Sequence, residues 1–155
     1  MEAKVYNNMD SETILKKLPY SEPFLFVDSI TKIDENGVEG SFSFKPDSFF
    51  YKGHFKDYPV TPGVILTECC AQIGVVCLGI YLEKNLEGIS TNIAFSSSEM
   101  EFYVPIYPNE TVKVVSEKIY YRFHKLKCKV SLYNEEGQLA CKGILAGMIK
   151  PVTDG

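Results

Sequence analysis

The chain has no tryptophan and only two histidines, His54 and His124, so chemistry that relies on imidazole near neutral pH has two candidates. Positive charge is also short. Lys and Arg number 16 against 20 Asp and Glu, a net charge of −4 with pI near 5.2. Nucleic acid is therefore not an expected partner, because phosphate binding needs a clustered positive field. The five cysteines (Cys69, Cys70, Cys77, Cys128 and Cys141) are odd in number, include a vicinal pair, and show neither a CxxC nor a Cys/His metal spacing. They are expected to be reduced, mostly buried small residues, and no metal or organic cofactor is signalled. The opening MEAKVYNNMDSETILKKL lacks a basic segment followed by an apolar one, so no secretory leader is expected and the cytoplasm is the expected location. There is no low-complexity tract, no like-charge block and no internal repeat, which argues against disorder beyond the termini.

What is present suits one domain over residues 1–155, with 45% hydrophobic residues to build a core. Ser11 before ETILKKL, with Pro19 behind it, predicts a short capped helix. FLFVDSITKID (24–34) and GVEGSFSFKP (37–46) predict a hairpin around Asn36-Gly37. An aromatic loop, DSFFYKGHFKDYPVTPG, then leads into a long apolar helix from about Gly63 to Asn85. Four further strands are predicted at 91–104, 110–121, 125–134 and 138–150, the last two joined by a turn at Glu135-Glu136-Gly137. In the third of these, Leu126, Cys128, Val130 and Leu132 alternate with Lys125, Lys127, Lys129 and Ser131, the period of a sheet with one wet face.

The run Val64 to Leu82 approaches membrane-spanning length, but it contains Glu68 and Gln72. A carboxylate in lipid costs several kcal/mol, at about 2.5–3.5 by insertion scales, and the other elements are amphipathic strands, so a buried core helix is predicted and no membrane span. A helix apolar nearly all round has to be enveloped. The expected architecture is α+β, an antiparallel sheet of about six strands wrapped around one long central helix.

Glu68 and Gln72 are four residues apart and share one face of that helix. Burying an unpaired carboxylate is expensive, so Glu68 is protonated, paired, or faces a cavity. A buried acid downstream of a histidine is a site candidate. The plainer alternative is that Glu68 caps a loop and His54 is merely packed, since structural networks also perturb carboxylates.

The surrounding residues bear on that choice. GHFKDYPVTPGVILTECCAQ, running without a gap from Gly53 to Gln72, resembles the signature of the FabZ-type β-hydroxyacyl-acyl-carrier-protein dehydratases. LPYSEPFLFVDSI (18–30) resembles the family's Leu-Pro-x-x-x-Pro-Phe-Leu-x-Val-Asp opening, and EFYVPIYPNE (101–110) its later Phe-x-x-Pro-Val-x-Pro-Gly-Asp turn. The resemblance covers most of the chain. It implies the hotdog fold and conversion of (3R)-3-hydroxyacyl-acyl-carrier protein to the trans-2-enoyl form in fatty acid biosynthesis, without a cofactor. By the same resemblance His54 is the general base, Glu68 is the general acid or holds the water that is, and Gly63 offers its backbone amide to the thioester carbonyl. Gln72, on the same helix face, is expected to orient Glu68 by a hydrogen bond. The site is expected between two subunits, base and acid from different chains, in a homodimer or a trimer of such dimers.

The expected partner is an acyl carrier protein, an acidic molecule that Lys52, Lys56, Arg122, Lys125 and Lys127 would meet as a local basic patch; solvated lysines are the plain alternative. Tyr103 or Tyr107 is a candidate gate for the acyl channel, with packing the ordinary role for both. Phe95, Met100 and Met148 are candidates to set its depth. His124 is read as a surface residue. Three departures from the family pattern stand out: Tyr20-Ser21-Glu22 in place of His-Arg-aromatic, Lys56-Asp57 in place of Pro-Gly, and Cys69-Cys70 behind the acid. The first exchanges a cation for an anion and leaves the choice of carrier open. A pathway-specific dehydratase acting on polyene or aryl-polyene carriers, a non-catalytic acyl-thioester-binding hotdog protein and a hotdog thioesterase are the alternatives. An acid that is Glu, where the isomerising sister family has Asp, points to dehydration without isomerisation.

Overall fold

The structure, a computed structural model, describes residues 10–83 and 90–152. Helix α1 (Ser11–Lys17) is capped by Asp10, whose Oδ1 accepts from the Thr13 amide at 2.9 Å. The cap therefore lies one residue before the expected Ser11, which leaves the Ser11 hydroxyl free to donate to the Ile30 carbonyl and tie the helix to the sheet.

Strands β1 (Ser29–Asp34), β2 (Gly37–Ser43), β3 (Ser90–Phe102), β4 (Thr111–Arg122), β5 (Lys125–Tyr133) and β6 (Leu139–Val152) form one sheet in the order β1-β2-β4-β5-β6-β3, every neighbouring pair antiparallel. β1 is five residues shorter than predicted, because Phe24 and Phe26 bond to Gln72 instead of to β2. The Phe26 amide donates to Gln72 Oε1, and the Phe24 carbonyl accepts from Gln72 Nε2. The first hairpin turns at Glu35-Asn36, with Asp34 Oδ1 accepting from the Asn36 and Gly37 amides. Gly37 is needed for another reason. A Cβ there would lie 2.2 Å from the Ser116 carbonyl oxygen on β4, so only glycine lets the strands close.

The predicted alternation in β5 is borne out: Leu126, Cys128, Val130 and Leu132 are all fully buried. They face helix α2 (Gly63–Leu82), which is mostly buried inside the fold, so this apolar rod is the core of the sheet. The expected extension of α2 to Asn85 lies partly outside the described residues. α2 is also not uniform. It is α-helical over Gly63–Ala71, π-helical over Gln72–Cys77 and α-helical again over Leu78–Leu82. In the wide turn the Gly74 carbonyl accepts from the Ser116 hydroxyl at 2.9 Å, a bond that ties the helix to β4. Phe26, Phe42, Phe44 and Phe50 form an aromatic cluster with centroids 4.9–6.4 Å apart, edge to face except for the tilted Phe26–Phe50 pair. Such pairs add about 0.5–1.5 kcal/mol each beyond burial, and they pin the segment leading to His54. All five cysteines are free and buried.

Candidate active site

The segment bearing His54 is built by short-range bonds. A 3-10 turn at Phe49–Lys52 starts it, where an irregular loop was expected. The Tyr51 and Thr61 hydroxyls meet at 2.5 Å across its base, and the Val60 amide donates to the His54 carbonyl at 2.8 Å. His54 is half-buried, with Phe55 stacked on its ring at 4.1 Å. His54 Nδ1 lies 2.9 Å from the Val60 carbonyl oxygen. A carbonyl only accepts, so Nδ1 is the donor, and in the neutral ring Nε2 then keeps the lone pair. The neutral ring thus has one accepting nitrogen, Nε2.

Eight residues on, Pro62 stands at the N-cap of α2 without a side-chain cap; its carbonyl accepts from the Ile65 and Leu66 amides, and the Gly63 and Val64 amides have no partner among the described residues. These donors sit at the positive end of the helix dipole, an anion-stabilising position. At Gly63 an added Cβ would press on the Phe102 ring at 3.3 Å, so glycine keeps the helix mouth low under that ring.

Glu68, one further turn along, is half-buried and borders a cavity of about 120 Å³. Its Oε2 accepts from Gln72 Nε2 at 3.0 Å. Burial pushes the Glu68 carboxyl above the usual carboxylate range, and the Gln72 bond pulls partly the other way. Gln72 is itself fully buried and spends its other bonds on Phe24 and Phe26, so its amide cannot rotate away from Glu68. Apart from Glu68 and Tyr20 the cavity wall is apolar, with Ala71, Val75 and Val76 from the helix and Phe95 from β3. His54 is not in that wall, and no hydrogen bond or ion pair joins it to Glu68 among the described residues. One subunit holds the two groups apart.

A family model described as a FabA-like domain matches residues 18–146, most of the chain. The chain belongs to the FabA-like family. Among curated relatives of this FabA-like protein, the 3-hydroxyacyl-acyl-carrier-protein dehydratase FabZ of Caldicellulosiruptor saccharolyticus is 32% identical over 142 residues, covering 91% of this chain and 99% of the relative. That of Clostridium perfringens is 32% identical over 139 residues, covering 87% and 94%. Among solved structures, the dehydratase heterocomplex ApeI:P of Xenorhabdus doucetiae superposes with a TM-score of 0.74 at 11% identity, covering 88% of this chain and 90% of that one. A hypothetical thioesterase of Streptococcus pneumoniae with coenzyme A superposes with a TM-score of 0.60 at 16% identity, covering 81% and 87%. The fold is the hotdog, and the FabA-like chain is a dehydratase.

Other residues singled out in the sequence fall in different places on this dehydratase. Lys52 and Lys56 are exposed on the His54 segment, at the N-terminal end of α2. Arg122, Lys125 and Lys127 belong to the β4-β5 hairpin, whose tip meets Glu83 at the other end of α2. Twenty helical residues span about 30 Å, so the five cations do not form one patch on a subunit. Arg122 and Lys127 instead lie over the Tyr120 ring, at 4.3 and 5.9 Å. Tyr107 bonds Tyr58 and Tyr103 bonds Glu101, both exposed and away from the Glu68 cavity wall, while Phe95 does line it. Met100 packs against the core and, with Met148, is not in that wall.

His124 is 59% exposed, as a surface reading would have it, yet its Nδ1 contacts Glu83 Oε2 at 3.0 Å. The Tyr121 hydroxyl donates to the same oxygen at 2.5 Å. Neither this cluster nor the cavity position of Tyr20 was anticipated from the sequence. The Glu83 contacts join residues 38 and 41 positions apart, which no local period reveals. The one signal for Tyr20 was its departure from the family pattern. Among the described residues no group of three or more His, Cys, Asp or Glu side chains is disposed to hold a metal ion.

Proposed function

We propose that this dehydratase removes water from 3-hydroxyacyl chains on an acyl carrier protein, with His54 as the base and Glu68 as the acid. The observation that carries the reading is Glu68, a carboxyl held by one fixed donor, raised by burial and open to an apolar cavity. Taking a proton from C2 of a thioester with neutral imidazole is uphill by about 18 kcal/mol, taking the α-proton pKa as roughly 20. Three groups lower that cost. His54 Nε2 accepts the C2 proton. The first-turn amides at Gly63 stabilise the enolate oxygen that develops on the thioester. The C3–O bond then breaks as the Glu68 proton passes to the departing hydroxyl, so that water leaves and the C2–C3 double bond forms. Exchange with solvent returns the proton to Glu68 and removes the one on His54.

Within one subunit His54 stays outside the Glu68 cavity wall, which supports a site completed by a second copy. β3 is a 13-residue edge strand that exposes Phe95 near its middle and Phe102 at its end, an edge that a partner would cover in a homodimer. Lys52 and Lys56, next to His54, are the cations placed to meet an acidic carrier at the site entrance. Reduced, buried thiols suit a cytoplasmic enzyme.

The test is incubation with 3-hydroxyacyl-carrier protein of several chain lengths, following the conjugated enoyl thioester and free thiol together. Enoyl product, lost in His54→Ala, is expected. Release of free thiol without enoyl product would identify a thioesterase, and tight binding with neither product an acyl-binding protein.

A further inference from the structure

Glu68 is one of two polar side chains lining its cavity; the other is Tyr20. Tyr20 arrives from the turn after α1, where Pro19 ends the helix and Phe24 bonds back to Ser21, so its ring is held by a segment tied to the core. Its hydroxyl has no hydrogen-bond partner among the described residues. Glu68 Oε1 likewise has none, since Gln72 bonds Oε2. A phenol donor and a carboxyl oxygen thus border the same small, otherwise apolar space with bonding capacity that the protein leaves unused and a polar ligand atom can take up.

We propose that Tyr20 is a second donor for the reaction, and that its hydroxyl and Glu68 Oε1 together hold the 3-oxygen of the substrate. The inference rests on Glu68 being the acid. Glu68 gives its proton to the departing oxygen, while Tyr20 donates a hydrogen bond to a lone pair of that oxygen and keeps its own proton throughout. Burial, followed by the neighbouring Glu68 charge and then Cys77, pushes the Tyr20 phenol up to about 12, so it remains a donor across the pH range in which the enzyme would work. The partner is specified by chemistry. The space takes a hydroxyl on the third carbon of a thioester, and a saturated chain would leave both groups unpaired.

Tyr20→Phe removes the hydroxyl and keeps the ring, so packing is preserved. Binding is measured in an inactive His54→Ala background with 3-hydroxybutyryl- and butyryl-pantetheine as probes. The expected result is that Tyr20→Phe weakens the hydroxylated probe about tenfold and leaves the saturated one unchanged. Equal weakening of both probes, which a merely structural role would give, overturns the proposal, as does no change in either. In the otherwise native enzyme kcat should fall about 10- to 100-fold with a smaller change in KM, the pattern of a bond that strengthens in the transition state. Full kcat in Tyr20→Phe alongside a dead Glu68→Gln would overturn the role of Tyr20 and leave the acid in place. A Tyr20-dependent preference for the hydroxylated probe in a protein that never forms enoyl product would instead sink the dehydratase reading and keep the subsite.

Discussion

Two carboxylates flank the same apolar helix, Glu68 near its start and Glu83 just past its end, and they are treated in opposite ways. Glu83 is 9% exposed, and one of its oxygens collects the Tyr121 hydroxyl and His124 Nδ1. Burial and then the Glu83 carboxylate push the Tyr121 phenol well up, so the tyrosine stays a donor. Glu68 has one protein donor, an open cavity beside it and a raised pKa. A buried acid surrounded by donors serves the fold, and one left short of donors beside a cavity is available for chemistry. The hairpin tip makes the same point. Phe123 and His124 both take positive φ, 52° and 62°, in a two-residue turn where Asn-Gly would be easier, and His124 there reaches Glu83.

The largest effect separating the two should come from Glu68→Gln. Dehydration should fall by about 10²- to 10⁴-fold, the range for loss of a positioned acid. The same variant should melt higher than the native protein above pH 5. Below the unfolded carboxyl value near 4.5 both states are protonated and nothing is lost; as pH rises through the raised folded value, the native chain loses stability to a desolvated charge that Gln lacks. Melting curves from pH 4 to 8 check this, and a native protein that gains on the variant with rising pH would contradict it.

Next is Gln72→Leu, which orphans the Phe24 carbonyl and the Phe26 amide and frees Glu68. A loss of about 2–4 kcal/mol is expected in denaturant titration. Because the lost bond was holding the Glu68 carboxyl down, the limb of the pH–rate profile due to the acid should move to higher pH. Glu83→Ala should cost about 1–3 kcal/mol while leaving the turnover of folded enzyme unchanged. An equal fall in turnover would mean that the two ends of the helix are not separate in function. The smallest effect belongs to His124→Ala, below about 1 kcal/mol because the ring is mostly in solvent.

How legible each end was follows from the range of its contacts. The Glu68–Gln72 bond spans one helical turn, so spacing alone predicted it. The buried face of β5 was equally open to reading, because alternation is local. The π-helical turn at Gln72–Cys77 was hidden, and its bond to the Ser116 hydroxyl joins residues 42 positions apart, beyond any local period. Asn36-Gly37 read as a turn because the pair favours one, but the real constraint on Gly37 is the carbonyl of Ser116. Lys52, Lys56, Arg122 and Lys125 looked alike as cations, and only the fold separates them along the helix.

The central claim, that Glu68 works with the His54 of a second subunit, is tested most directly by complementation. His54→Ala and Glu68→Gln proteins, each inactive alone, are mixed under conditions that exchange subunits and assayed on 3-hydroxyacyl-carrier protein. A random mixture of two-fold dimers should recover about a quarter of native activity, because half the dimers are mixed and each mixed dimer has one intact site. No recovery, with mixed dimers verified and the native enzyme active, would contradict the account.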